Sequence, residues 1–357
     1  MSEKKVMVAM SGGVDSAVAA LLVRDEGILT AGITMQLWDE STRLCDDLSP
    51  IHHDANAREA HAIAETIGIP HVTVSLSDSF YRYVVTPFIE TYIAGKTPNP
   101  CVVCNREIKF GALPAIAREL GYPMIATGHY ARIDQDTNGR FLLKKAVDQT
   151  KDQSYFLWSL SQHVLSSVRF PLGDRTKTNI REIAAAHGFT NAHKSDSQDI
   201  CFIPNGDYIA FIREHSDHSF PSGSFVDKNG AVLGEHAGIV RYTIGQRKGL
   251  GIALGQPMFV KTKDPLQNTV TLCTDAELFS DTLTASEVNW IACDTPTTAI
   301  RAEVKIRYRH MAAPATVDPI GEGRVSVRFD TPQRAIAPGQ SVVFYDGDTV
   351  IGGGVID

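Results

Sequence analysis

The sequence has no long apolar run, few cysteines and no excess of positive charge. None of its apolar stretches approaches the length that crosses a bilayer, so we expect no membrane span. Its net charge of -7 at pH 7 argues against nonspecific coating of nucleic acid, although a local basic face can still bind RNA. Six cysteines in a chain of this size indicate thiols rather than a disulfide framework. Residues 1–10 lead into a strand without a signal peptide, which predicts a cytoplasmic protein.

The length of the chain and the change in its sequence pattern predict three domains, because 357 residues are more than one typical domain with a single core contains. Residues 1–204 alternate apolar strands with amphipathic helices, which predicts an α/β domain with a doubly wound parallel sheet. We expect a small mixed linking domain over residues 205–280. Residues 281–357 read as strands and turns, with a hairpin signal at Asp346-Gly347, and predict a C-terminal antiparallel β-barrel.

The strand ends of the first domain are where ligands are expected, because parallel sheets bind them at the carboxyl ends of their strands. The apolar runs predict strands at residues 6–10, 29–35, 71–76 and 124–129. Helical periodicity predicts helices at residues 54–67, 80–94, 108–121 and 179–187.

A glycine-rich turn follows the first predicted strand and precedes a helix. Gly12 and Gly13 allow backbone amides to approach a ligand, and the helix N-terminus favours an anion. The turn lacks the lysine of the nucleoside triphosphatase loop, so a transferred terminal phosphate is not its expected ligand. Its amides, the hydroxyls of Ser11 and Ser16, and Asp15 suit the departing pyrophosphate of ATP, with Mg²⁺ near Asp15. SGGVDS resembles the loop of the ATP pyrophosphatases, which attach AMP to an oxygen; a turn that binds nothing is the alternative.

Cys101 and Cys104 form a C-x2-C pair within residues 97–105, which two prolines should keep extended and free of helix. One of these thiols can work with Cys201, because a thiolate is a strong nucleophile and a cysteine can carry extra sulfur as a persulfide. A structural zinc site and a buried pair without function remain alternatives.

A metal site is not favoured by the spacing of the candidate ligands. The C-x2-C has no second pair, so His129 and Cys201 could complete a zinc site only through the fold. His52, His53 and His61 near Cys45 match no standard pattern. We therefore expect no metal site.

Motifs along almost the whole chain together resemble the tRNA-specific 2-thiouridylase family, which makes 2-thiouridine at the wobble uridine of tRNA. They are SGGVDS (11–16), PNPCVVCN (98–105), TGHYAR (127–132), KDQSYFL (151–157), SDSQDICFI (195–203), YTIGQRKGLGI (242–252), RYRH (307–310) and APGQSVVFYDGD (337–348). The resemblance implies a catalytic domain similar to the adenine nucleotide alpha hydrolases and a barrel that contacts tRNA.

The resemblance also implies a role for individual residues. Cys104 would be the catalytic nucleophile and Cys201 the carrier of the persulfide. Residues that would bind ATP are Ala9, Met10, Ser11, Gly12, Gly13, Val14, Asp15, Ser16, Met35 and Gly128. The target base would face Asn99, Pro100 and Cys101. Residues that would contact tRNA are His129, Lys151, Asp152, Gln153, Arg307, Tyr308 and Gln340.

The implied reaction is adenylation of the uridine O2 by ATP, followed by sulfur transfer. The sulfur on Cys201 would attack C2 directly, or as hydrosulfide released by Cys104, and a Cys104–Cys201 disulfide would remain. Some relatives carry aspartate where this chain has Cys101, which leaves the proton carrier open. The implied partners are tRNA and a sulfur donor, either a cysteine desulfurase or a relay protein. We expect a monomer, because nothing in the sequence demands more, and we expect no permanently bound cofactor.

A basic run is the candidate contact with the RNA backbone. It is expected as an alternating strand of Lys305, Arg307, Arg309 and His310, and Arg247 with Lys248 is a second candidate. Taken without the resemblance, an alternating basic strand is more often a solvated face.

Two rival functions share part of this pattern. An amide-forming ATP pyrophosphatase, such as an argininosuccinate or GMP synthetase, has the same loop and sheet but does not need Cys201 or a C-terminal barrel. A non-catalytic RNA-binding protein with a relic nucleotide loop would bind tRNA without consuming ATP.

Overall fold

The computed structural model describes residues 4–38, 55–192, 200–203 and 206–357. Its α-helices are α1 (Val14–Asp25), α2 (Ala55–Ile67), α3 (Ser77–Phe80), α4 (Thr86–Ile93), α5 (Pro100–Cys104), α6 (Leu113–Glu119), α7 (Gln162–Leu165), α8 (Lys177–Ala186) and α9 (Tyr208–Glu214). Wider π-helical segments span Tyr81–Val85 and Asn105–Ala112. Short 3₁₀ turns span Ser154–Phe156, Ile239–Arg241 and Asp275–Leu278.

The strands fall into a parallel group and two largely antiparallel groups. In chain order they are β1 (Lys5–Ala9), β2 (Leu29–Gln36), β3 (His71–Ser75), β4 (Met124–Ala126), β5 (Ala131–Gln135), β6 (Phe141–Lys145), β7 (Val168–Arg169), β8 (Gly223–Val226), β9 (Val232–His236), β10 (Phe259–Asp264), β11 (Thr269–Cys273), β12 (Phe279–Trp290), β13 (Ile300–Lys305), β14 (Ala313–Gly321), β15 (Arg324–Arg334), β16 (Ser341–Asp346) and β17 (Thr349–Ile356).

The chain folds into two compact units. The first unit comprises Met1–Val84, Cys101–Gln198 and Asp348–Ile351, and the second comprises Val85–Pro100, Asp199–Gly347 and Gly352–Asp357. The division into residues 1–204, 205–280 and 281–357 stays a prediction, and its boundary at 204 and 205 lies outside the described residues.

The first unit is built on a five-stranded parallel sheet in the order β3-β2-β1-β4-β7. Alternate side chains of β1 enter two different cores, as expected for a strand covered on both faces. Val6 and Val8 pack with α1, α2 and α8, whereas Met7 packs with residues of α6. Helices therefore cover both faces, and the predicted doubly wound sheet is confirmed.

An antiparallel hairpin completes the first unit. Strands β5 and β6 pair from Ala131 opposite Lys145 to Gln135 opposite Phe141. Asp348, from near the C-terminus, accepts a hydrogen bond from the Arg132 guanidinium at 2.8 Å. The backbone N–H of Lys145 donates to the Asp348 carbonyl at 2.8 Å.

The second unit contains the predicted mixed sheet and barrel. Strands β8 and β11 pair in parallel, and β9 and β10 flank them antiparallel. The barrel strands run in the order β12-β15-β14-β13-β16-β17, and β12 pairs with β17 at Ala285 opposite Ile356, which closes the barrel. No helix in the part of the chain described is long and apolar enough to cross a membrane.

The expectation that residues 97–105 contain no helix is wrong. Helix α5 begins at Pro100, because proline is tolerated in the first helical turn, where its missing N–H is not needed. Cys101 and Cys104 therefore lie one turn apart on the same helix. The helix predicted over residues 80–94 is present as one continuous helical stretch, in which a π-helical segment joins α3 to α4.

The alternating basic strand expected over residues 305–310 is also wrong. Strand β13 ends at Lys305, and the next residues form bends and a turn in which the His310 N–H donates to the Arg307 carbonyl at 3.1 Å.

Candidate active site

The glycine-rich turn between β1 and α1 is closed by its own serines. The Ser16 hydroxyl donates to the Gly13 carbonyl at 2.9 Å and accepts the Ser11 N–H at 3.1 Å. Gly12 has a φ of +71°, and a Cβ there would lie 2.9 Å from the Asn56 carbonyl oxygen. Gly13 is the N-cap and has no side chain to cover the first-turn amides of α1. This is the geometry of an anion site at a helix N-terminus.

Two surrounding residues fix the turn from outside. The buried Asn191 amide donates to the Gly12 carbonyl at 2.8 Å, and its Oδ1 has no hydrogen-bond partner among the residues described. A Cβ on Gly128 would lie 2.9 Å from both the Asp15 carbonyl carbon and the Ser16 nitrogen. The structure thus brings Gly128 against the first turn of α1. Met35 lies half-buried near the end of β2.

A buried lysine, which the sequence analysis missed, binds the carboxylate of the turn. Lys177 Nζ donates to both oxygens of Asp15 at 2.8 Å, and the Tyr130 hydroxyl donates to Oδ1 at 2.8 Å. Lys177 is 6% exposed and is the first residue of α8, after the N-cap Thr176. One sequence feature could have singled out Lys177: it is a lysine at the first position of a helix, where the helix dipole disfavours a cation.

Magnesium does not fit the Asp15 carboxylate in this arrangement, because an ammonium group already lies against both of its oxygens. Within the described ranges, no group of three or more His, Cys, Asp or Glu side chains could hold a metal ion. The histidines at 52 and 53 and Cys45 lie outside those ranges.

The candidate sulfur-handling cysteines differ in exposure. Cys101 is exposed, and Cys104 is 7% exposed near the end of α5, directly before the π-helical segment. Cys201 is exposed, and the adjacent Phe202 packs against Phe88 with ring centroids 5.3 Å apart. The preceding motif residues 195–199 lie outside the described part of the chain.

Comparison with known proteins identifies the family. The chain is 48% identical to the tRNA-specific 2-thiouridylase MnmA of Geotalea uraniireducens, over 99% of this chain and 95% of that protein. It is 47% identical to the enzyme of the same name from Acetivibrio thermocellus over 100% of both chains. It is 45% identical to that of Clostridioides difficile over 99% and 98%. The chain belongs to the tRNA-specific 2-thiouridylase family.

Models of three domains also match the chain. They describe a tRNA methyl transferase HUP domain over residues 4–205, a tRNA methyl transferase PRC-barrel domain over residues 209–274 and an aminomethyltransferase beta-barrel domain over residues 280–356. The resemblance to the thiouridylases found from the motifs is thus confirmed over the full length.

The segment that the family resemblance predicts to face the target base is held by the loop after β15. Gln340 Nε2 donates to the carbonyls of Thr97 at 3.1 Å and Pro98 at 2.9 Å. The Thr97 N–H donates to the Pro338 carbonyl at 2.8 Å. These bonds fix the chain immediately before Asn99. Gln340, expected from the family resemblance to contact tRNA, therefore already has a positioning role.

His129 is buried and neutral in the thiouridylase fold. Its Nδ1 lies 2.7 Å from the Thr127 hydroxyl, and its ring packs between Phe110 and Phe170. Burial, with a smaller contribution from the Lys109 ammonium 3.5 Å away, lowers the pKa of His129 well below its usual value. An RNA contact by this side chain needs a local rearrangement.

The segment of residues 151–153 is tied into the first unit. Asp152 is buried and accepts hydrogen bonds from the N–H groups of Ala146 and Ser154 and from the Ser154 hydroxyl. Gln153 Oε1 accepts the Tyr130 N–H at 2.9 Å. Lys151 and Gln153 are both half-buried.

Arg307 is bound to backbone within the second unit. Its Nη2 donates to the carbonyls of Ile244 at 3.1 Å and Ala335 at 2.6 Å. The neighbouring Tyr308 has the Lys305 ammonium 5.4 Å from its ring centroid. The pair thus lies in a basic turn, and the roles of both residues toward tRNA stay predictions.

Proposed function

We propose that this protein thiolates the wobble uridine of tRNA at C2 and consumes ATP, as a tRNA-uridine 2-sulfurtransferase. The observation that carries this conclusion is full-length similarity to tRNA-specific 2-thiouridylases, with the phosphate-type turn and Cys104 and Cys201 all present. Neither rival function is favoured, because these full-length relatives are neither synthetases nor RNA-binding proteins without activity.

ATP provides the leaving group for the reaction. The uridine O2 attacks the α-phosphate of ATP, and pyrophosphate departs. The amides of Gly12, Gly13 and Val14 at the N-terminus of α1 hold the departing anion, since they carry the positive end of the helix dipole. AMP bound to O2 then leaves far more readily than the original carbonyl oxygen would. Any Mg²⁺ accompanies the nucleotide phosphates.

Sulfur then replaces the adenylated oxygen. Cys201 carries a persulfide, and its terminal sulfur attacks C2 directly or as hydrosulfide released when the Cys104 thiolate attacks the inner sulfur. In the direct route AMP leaves, and C2 stays bonded to Cys201 through the two sulfurs until the Cys104 thiolate attacks the Cys201 sulfur and breaks that S–S bond. Both routes therefore end with 2-thiouridine, AMP and a Cys104–Cys201 disulfide, which a two-electron reductant returns to thiols. The first unit carries Cys104 and the second carries Cys201.

The substrate base must leave the anticodon stack before C2 can react. The segment of Asn99, Pro100 and Cys101 receives it, and the exposed Cys101 is a candidate proton carrier. The proposal includes a sulfur donor protein, either a cysteine desulfurase or a relay protein. It also includes a monomeric enzyme in the cytoplasm, where tRNA is modified.

The test is nucleoside mass spectrometry of unmodified tRNA incubated with the protein, ATP and a persulfide donor. We expect 2-thiouridine and AMP from the wild type, and no 2-thiouridine from Cys201→Ser or Cys104→Ser. Cys273→Ser is the matched control, because Cys273 is buried at the end of β11 and burial raises the pKa of its thiol. ATP cleavage without any thiolated base would reject the thiouridylase assignment.

A further inference from the structure

We propose that Lys177 is a positioning residue that neutralises Asp15 in the glycine-rich turn of residues 11–16, here named the phosphate turn, so that Asp15 serves as a paired structural anion rather than as a magnesium ligand. The proposal rests on the proposed use of ATP and adds a residue to that site.

The geometry makes Lys177 the principal partner of this carboxylate. Its ammonium lies 2.8 Å from each Asp15 oxygen, and the same ammonium is 5.9 Å from the ring centroid of Tyr130. Tyr130 adds its own hydrogen bond to Oδ1. The Lys177 side chain is 8% exposed and that of Asp15 is 31% exposed, so solvent screens the pair only in part.

The needs of helix α8 do not explain this lysine. A cation at the first helical position opposes the helix dipole, and burial of an ammonium is costly unless it is paired. The anion that suits this helix end is Asp148, whose carboxylate accepts the Lys177 N–H at 2.9 Å. The buried ammonium departs from these local rules and is paired with a carboxylate of the phosphate turn, which points to a role there.

Asp15 by itself would oppose the function of the turn. It lies in the first turn of α1, where the helix dipole attracts any anion, and its charge repels a phosphate approaching the same amides. The Lys177 ammonium compensates the charge of the carboxylate, and the Tyr130 hydroxyl helps to hold it in place. The turn then presents its amides to pyrophosphate without a competing anion.

The test is equilibrium binding of ATP and of inorganic pyrophosphate by calorimetry. Lys177→Met leaves an uncompensated carboxylate, and we expect both ligands to bind about tenfold more weakly or worse. Adding Asp15→Asn removes that carboxylate, and the double variant should return to within about threefold of the wild type. Lys228→Met, which removes an exposed lysine paired with Glu277, is the charge-matched control and should bind like the wild type.

The alternative is that Lys177 itself contacts the phosphates. The double variant would then bind at least about tenfold more weakly than the wild type, and this result overturns the proposal. Wild-type affinity in Lys177→Met also overturns it. The double variant decides the question even if Lys177→Met does not fold, because it leaves no unpaired charge. A wild type that binds neither ATP nor pyrophosphate would instead reject the proposed function.

A magnesium titration gives a second readout. Asp15 as a magnesium ligand would make the double variant need more Mg²⁺ for half-maximal ATP binding, whereas a paired Asp15 leaves that midpoint unchanged. Lys177→Arg keeps the charge and should retain more ATP affinity than Lys177→Met. Equal loss in the two variants would argue against charge compensation.

Discussion

Replacing Gly128 by alanine tests how tightly the phosphate turn is packed. Gly128 does not have a positive φ, so alanine can adopt its backbone conformation. The effect of the substitution therefore depends on whether the added methyl group fits. The added Cβ would lie 2.9 Å from backbone atoms of Asp15 and Ser16, whereas ordinary contacts begin at 3.4 Å. The first turn of α1 or the segment after β4 must therefore move by about 0.5 Å.

The cost of this substitution follows from overpacking. Extra methyl groups in a packed site cost about 1–3 kcal/mol, and backbone neighbours cannot turn aside as a flexible side chain can. We expect the free energy of unfolding to fall by about this amount. If the turn moves, ATP affinity should also fall by about tenfold, which corresponds to about 1.4 kcal/mol.

Urea denaturation and ATP calorimetry measure the two effects. Gly234→Ala is the matched control, since its Cβ would meet only the side chain of Ile252 at 3.2 Å. We expect this control to keep the ATP affinity of the wild type. Unchanged stability and unchanged ATP affinity in Gly128→Ala would refute the close packing of the segment after β4 against α1.

Three further predictions concern other parts of the molecule. Asp152→Ala should lower the free energy of unfolding by about 1–3 kcal/mol in urea titrations, because the buried groups that donate hydrogen bonds to Asp152 lose this acceptor. Unchanged stability would contradict the role of Asp152 as a buried hydrogen-bond acceptor. Gln340→Leu should raise the KM for tRNA and leave the KM for ATP unchanged, because it frees the carbonyls of Thr97 and Pro98; an unchanged tRNA KM would contradict the positioning role. Burial, followed by the charge of a neighbouring histidine, lowers the pKa of His71 from 6.5 to about 4, so protonation favours the unfolded state. The free energy of unfolding should therefore fall as the pH is lowered from 6.5 towards 4, and His71→Asn should weaken this dependence.

The sequence predicted elements whose signals are local. The alternation of apolar strands and helices, with Gly68 ending α2, was enough for the doubly wound sheet. The turn of residues 11–16 was recognisable because its glycines, serines and following helix are contiguous. The family resemblance then supplied the cysteines and the tRNA-contact residues, which the spacing alone did not assign.

Other features depend on contacts distant in sequence or on position within an element. Pro100 indicates extended chain in one context and a helix start in another, and local sequence did not distinguish them. Lys177 lies 162 residues from Asp15, so the pair becomes visible only after the sheet brings α1 and α8 together. The family resemblance predicted that His129 and Asp152 contact tRNA, whereas in the structure both side chains are buried hydrogen-bonding groups.

The return of Asp348–Ile351 to the first unit has a consequence for synthesis of the chain. The hairpin of β5 and β6 emerges from the ribosome long before the residue whose carboxylate binds Arg132. At ~5–20 residues per second, the roughly 200 residues between Lys145 and Asp348 take about 10–40 s to add. The first unit is thus completed only after barrel strands β12 to β16 have been synthesised, and a chain stalled within the barrel lacks part of it.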